Sequence, residues 1–272
     1  MKYGVLNEYN AFVVVSDEDI EENIKSGQPL KCPTVQAMGK SHNQKYLPLL
    51  YPVLYHENVW MRLDAARSIL FLNGKEGLNQ LKKRERSIGE EGFQAEPCEK
   101  AVLEAMILRI EEGKEGVIQY FLSEKGLEIE KICILAYYRS GYPFLEEDIE
   151  LICEILEIFM KKDALWIQKL SKSDYKEFIY ESIDGLWVAS KESEVMKQMN
   201  PALGEKLVLV FKELMSQKPS SDIKKMMAKI SIGVEERSGK EILRILRGQV
   251  SGEARQAYKK ALKYWNLTEE IL

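Results

Sequence analysis

Apolar positions recur along most of this chain at steps of three and four residues, the period that places them on one face of a helix. Leu63, Ala66, Ile69 and Leu70 follow it, with polar Asn73 next on the same face, as do Leu145, Ile149, Ile152, Cys153, Leu156 and Phe159. The same period predicts helices over Glu99–Glu111, Gly116–Ser123, Ile129–Tyr138, Leu145–Lys161, Ala164–Leu170, Tyr175–Ser190, Leu203–Gln217, Ser221–Ile230, Gly239–Leu246 and Ser251–Trp265, with Gly113 as a break between the first two. The first thirty residues differ. Ala11–Val15 is a β-branched cluster that predicts a short strand or extended arm. Ser16 followed by Asp19 is a capping-box start for a helix through Ile24, ended by Gly27-Gln28-Pro29.

The stretch Pro33–Leu81 reads as two tandem helical hairpins, with turns at Gly39-Lys40-Ser41 and Asn73-Gly74-Lys75 and a restart after His56-Glu57-Asn58. Within it, Val59-Trp60-Met61-Arg62-Leu63-Asp64-Ala65-Ala66-Arg67-Ser68-Ile69-Leu70 resembles the first helix of a HEAT repeat: an Arg a few residues before paired small residues, then Leu, then a Gly turn. The resemblance implies an all-α, irregular HEAT-like α/α solenoid, here with a short extended N-terminal arm. A helical pair of about forty residues cannot bury its apolar stripe alone and stacks on its neighbours. Ala65 and Ala66 are small where helices must approach closely, and Gly74 is placed to cap the helix in a left-handed conformation. In this family, residues placed like Arg62 and Asp64 brace neighbouring repeats. The organisation expected is an arm over 1–30, HEAT-like repeats over 31–217, and C-terminal repeats or a cap over 218–272, with Gln217–Ser221 as the best candidate hinge.

Composition narrows the class. The chain has 272 residues, 45% of them hydrophobic, with 39 basic and 43 acidic side chains. Its 4 cysteines, Cys32, Cys98, Cys133 and Cys153, form no Cys-x-x-Cys pair, which fits reduced thiols in a cytoplasmic protein. No stretch approaches the ~18 apolar residues of a membrane span, and no signal-peptide pattern opens the chain.

Charge is unevenly spread. Residues 91–160 hold 16 acidic against 6 basic side chains, and residues 212–263 hold 13 basic against 6 acidic. Glu147, Glu150, Glu154 and Glu157 fall at three-four-three spacing along one helical stripe, with Glu146 beside them. Such a stripe is either a solvated face or a surface for a basic partner. Tyr51, Tyr55 and Trp60 are aromatic candidates, hot spots if exposed and core if not. Arg244, Arg247, Arg255, Lys259, Lys260 and Lys263, accompanied by Tyr258, Tyr264 and Trp265, form either a nucleic-acid patch or the solvated face of a capping repeat.

Catalytic and metal-binding signatures are missing from the chain. Gly39-Lys40-Ser41 echoes the end of a phosphate-binding loop, but Thr34 stands where the motif needs its first Gly and a helix is read where it needs a strand. The only histidines, His42 and His56, form no zinc motif. The expectation is therefore a non-enzyme without metal or cofactor that binds another protein of basic surface, with no membrane and no evident small-molecule substrate. Bacterial immunity proteins against secreted toxins, some of which look like HEAT solenoids, give that reading a narrower form: the acidic stripe masking a nuclease toxin. The rival is a nucleic-acid binder or a DNA-glycosylase-like enzyme using the basic C-terminal third, against which the acidic middle argues.

Overall fold

The β-branched cluster pairs with a strand that the hydropathy pattern did not announce. In the computed structural model, β1 (Lys2–Leu6) and β2 (Phe12–Ser16) form an antiparallel hairpin with Tyr3 opposite Val15 and Val5 opposite Val13. The structure describes residues 1–6, 12–88, 97–123, 146–192 and 194–269. Tyr3, Val5 and Val15 are buried while Val14 is 56% exposed, so the hairpin covers the core with one face. Ser16 then caps α1 (Asp17–Lys25) with both halves of the capping box in place.

The rest of the described chain is helical. It gathers into two compact units, one made of the described residues up to Tyr120 and one made of those from Phe121 onward. In the first unit α2 (Cys32–Lys40) packs on α4 (Val59–Ser87). Ala37, Ala65 and Ala66 are fully buried, and a Cβ added at Gly39 would stand 2.9 Å from the Cα of Ser68. The small residues serve the close approach expected of them. Between these helices the chain is more broken than the hairpin pattern implies. His42 turns left-handed at φ 53°, and the short α3 (Leu47–Leu50) is flanked by 3₁₀ turns at Gln44–Tyr46 and Pro52–Tyr55. Pro48 and Pro52 explain this, since neither supplies an N–H to a longer helix.

The turn within α4 differs from expectation. Gly74 is not left-handed; the break lies at Asn73, extended at φ −166° and ψ 85°. Its side chain accepts from the backbone N–H of Glu76 at 3.3 Å and so starts the second leg of the helix. In α5 (Pro97–Leu122) the break is at Gly113, φ 72°, as its position predicts. The helix expected over Ile129–Tyr138 lies outside the described residues.

The second unit contains α6 (Glu146–Lys161), α7 (Leu165–Lys169), α8 (Lys172–Glu192), α9 (Glu194–Gln198), α10 (Pro201–Ser216), α11 (Ser221–Gly233), α12 (Glu236–Leu246) and α13 (Gly252–Tyr264). Ile149, Ile152, Cys153, Leu156 and Phe159 of α6 are buried, as their spacing requires. Phe121, Phe159, Trp166 and Phe178 form an aromatic cluster in which the Trp166 indole N–H donates to the Phe121 carbonyl at 2.6 Å. Helix α11 is central, packing on α8, α12 and α13. A Cβ at Gly233 would meet the Ser190 carbonyl oxygen at 2.0 Å, so only glycine lets α11 and α8 approach there.

Candidate functional site

Arg62 and Asp64 both work inside the first unit. Arg62 donates to Glu99 of α5 and to the carbonyls of His56 and Glu57, while Asp64 accepts from the Cys32 thiol at 2.9 Å and the Gln36 amide at 3.0 Å on α2. The two side chains thus brace α4 against the helices on either side of it. Burial pushes the Asp64 carboxyl above its ordinary range, against the pull of those hydrogen bonds and of Arg67.

The acidic stripe is largely engaged within the second unit. Glu146 receives the backbone N–H of Asn200 at 2.8 Å and its side-chain amide at 3.0 Å. Lys206 of α10 lies 2.5 Å from Glu154 and 3.5 Å from Glu150, and Glu157 sits 3.5 Å from Lys161. Glu147 is exposed. Beneath the stripe, burial pushes the Cys153 thiol up to about 12. The side chains of Cys98 and Cys133 lie outside the described residues.

Of the aromatic candidates, Tyr51 is half-buried, Tyr55 is 38% exposed over the guanidinium of Arg84, and Trp60 is 62% exposed. Among the C-terminal cations, Arg244 pairs with Glu241. Arg247, Arg255, Lys259, Lys260 and Lys263 are exposed, and none of them has an ion pair among the described residues. Arg255, Lys259 and Lys263 stand four residues apart along one face of α13. Trp265 is tied inward, its N–H donating to Ser231 O at 2.9 Å, and Tyr258 is buried. Trp187 lies under two ammonium groups, Lys191 at 4.4 Å and Lys229 at 4.2 Å. Burial and the neighbouring Lys225 and Lys191 hold the Lys229 amine below its ordinary range.

The second unit carries a groove of about 790 Å³ between the α6–α7–α8 segment and the link from α10 to α11. Ile167, Leu170, Ile179, Leu214 and Ile223 supply apolar lining, and Tyr175 and Tyr180 supply aromatic lining. Tyr175 is fixed by donating to Gln217 Oε1 at 3.0 Å, and burial pushes its phenol above the ordinary range. Lys162, Lys172, Lys176 and Lys218 line the groove against two acidic residues, Glu177 and buried Glu181, and none of the four has an ion pair among the described residues. Lys162 and Lys218 are both left-handed, at φ 56° and 54°, just past the ends of α6 and α10.

Sequence reasoning did not single out this groove. Its signal was present in part: Lys172, Lys176 and Tyr180 stand at i, i+4 and i+8 and share a helix face. The cations at 162 and 218 carry no such periodicity, because they lie on turns brought together only by packing.

A concavity of about 820 Å³ in the first unit is lined by Asp17, Glu18, Glu21 and Glu22, but Tyr3 donates to Asp17, and Lys45 and Tyr46 donate to Glu21. Its acidity is thus partly spent on its own walls. Among the described residues no group of His, Cys, Asp and Glu is arranged to hold a metal, and no helix is long and apolar enough to cross a membrane.

Compared with protein-family models, curated proteins and solved structures, the chain matches none of them.

Proposed function

We propose that this chain is a non-catalytic binding module whose partner is another protein, and that it takes an acidic, partly apolar segment of that partner in the groove between α6–α8 and the α10–α11 link. The observation that carries this reading is the groove's make-up: an apolar lining, two tyrosines, and four lysines opposed by two carboxylates. Apolar side chains of a bound segment would be desolvated between Ile167, Leu170, Leu214 and Ile223, while its carboxylates would meet the lysines. Burial supplies affinity and charge complementarity supplies on-rate and selectivity. Tyr175 and Tyr180 are the large, rotamer-poor side chains that anchor interfaces.

A basic partner on the acidic stripe is the weaker reading. Glu150 and Glu154 share Lys206, and Glu146 serves as a backbone acceptor, so a partner would have to displace internal bonds there.

The test is a capture experiment from the native lysate with three baits: wild type, Lys172→Glu/Lys176→Glu, and Glu147→Lys/Glu150→Lys. An acidic protein retained by wild type and by the stripe variant, but lost from the groove variant, is the expected result. Retention by the groove variant together with loss from the stripe variant would overturn it in favour of a basic partner.

A further inference from the structure

We infer that the exposed Tyr55, in the first unit, is a stacking platform for a nucleotide whose phosphate is taken by Lys83 and Arg86. This site is separate from the groove of the second unit and does not depend on it.

Arg84 is 2% exposed, and its Nε and Nη2 donate to Glu99 Oε1 at 3.0 and 2.8 Å. The guanidinium fixed in this way lies 5.5 Å from the centre of the Tyr55 ring, within cation–π range. Tyr55 is held from within by a buried cation, yet it stays 38% exposed. A ring ordered in advance loses little further freedom when a flat ligand stacks on it.

Beside the ring lies a hollow of about 430 Å³, lined with Tyr55 by Asn79, Lys82, Lys83, Arg86 and Ser87. Lys82 is shared with Glu111, and the nearby Glu85 is turned to Lys100 at 3.6 Å. Lys83 and Arg86 are exposed and have no ion pair among the described residues. Among the described residues the lining contains no carboxylate. A π-face next to cations is the pairing that binds a base joined to a phosphate. An acidic peptide would use the cations but leave the ring without a flat partner. Asn79 and Ser87 add the hydrogen-bonding groups that a base edge or ribose requires.

Two sources share this chemistry, a free nucleotide and one unit of a single strand. The test titrates the full chain into fluorescein-labelled ten-residue oligo(dT) and oligo(U), followed by anisotropy, with unlabelled UTP and ATP as competitors. Wild type is expected to bind at least one probe. Tyr55→Leu should weaken binding about tenfold or more, the range for loss of one base–aromatic stack, while Tyr55→Phe, which keeps the ring, stays within about twofold of wild type. Lys83→Glu/Arg86→Glu, on an exposed face, should weaken binding and make log affinity less steep in log salt, by about 0.7 for each phosphate of a single strand that is no longer neutralised. Full competition by UTP or ATP identifies a free-nucleotide site, and binding of oligonucleotide alone identifies a strand site. The inference is overturned if wild type binds none of the probes, if Tyr55→Leu binds like wild type, if Tyr55→Phe falls as far as Tyr55→Leu, or if Arg255→Glu/Lys259→Glu abolishes binding while Lys83→Glu/Arg86→Glu does not.

Discussion

Glu99 receives two hydrogen bonds from the guanidinium of Arg62, from Nε at 2.8 Å and from Nη2 at 2.5 Å, with both residues at most 2% exposed. Arg84 donates to the same carboxylate from the second leg of α4. One acidic residue on α5 therefore pairs with cations on both legs of the preceding hairpin. Burying charges is costly, and the pairing offsets that cost only while every member is present. Glu99→Ala leaves two buried guanidiniums without it and should destabilise the chain by about 3–5 kcal/mol. Urea unfolding of variant and wild type measures this; a loss below about 1 kcal/mol, the scale of an exposed pair, would show that the guanidiniums find other partners.

Asp64 gives a prediction in pH. Burial raises its folded-state pKa above the unfolded value of about 3.9. Between those two values the folded chain keeps a proton that the unfolded chain has released. Stability from this group therefore falls as pH rises from about 4 to the folded pKa, and the full penalty stands above it. Asp64→Asn removes the titration. Relative to wild type, the variant's stability should improve progressively as pH rises from about 4. Melting temperatures of both proteins from about pH 3.5 to 8 check this, and a difference that is constant with pH would show that Asp64 binds the same protons folded and unfolded.

How much of this could be read from the chain depends on whether the determining interaction is local. The α6 stripe of Ile149, Ile152, Cys153, Leu156 and Phe159, the capping box at Ser16 and Asp19 and the break at Gly113 are written in adjacent residues, and each stands where the pattern puts it. The strand Lys2–Leu6 is less legible, since its identity depends on a partner ten residues away. Asn73 rather than Gly74 breaks α4 because an asparagine side chain can cap the helix that follows. At the candidate sites, the state of a charge depends on what lies opposite it. The acidic stripe looks free in sequence until Lys206 arrives from fifty residues on, and the groove lysines look scattered until α6, α8 and the α10–α11 link converge.

Lys162 and Lys218 join the groove to stability. Each adopts a left-handed backbone immediately past a helix, at φ 56° and 54°, where glycine is the usual occupant. A residue with a Cβ is strained there by about 1–2 kcal/mol, while glycine gives back about 0.5–1 kcal/mol through its freer unfolded chain. On these two effects alone Lys162→Gly and Lys218→Gly would each stabilise the protein by about 0.5–1 kcal/mol. Proximity to the helix C-terminus works the other way, since a lysine there interacts favourably with the helix dipole by about 0.3–1 kcal/mol, so the net gain should not exceed about 0.7 kcal/mol. If the lysines serve the groove, the double glycine variant gains melting temperature and loses partner binding together, the pattern of strain retained at a functional site. Thermal unfolding and the capture experiment on the same preparation read both quantities. A variant that is more stable and binds as wild type would remove these two cations from the site and leave Lys172 and Lys176 to carry its charge.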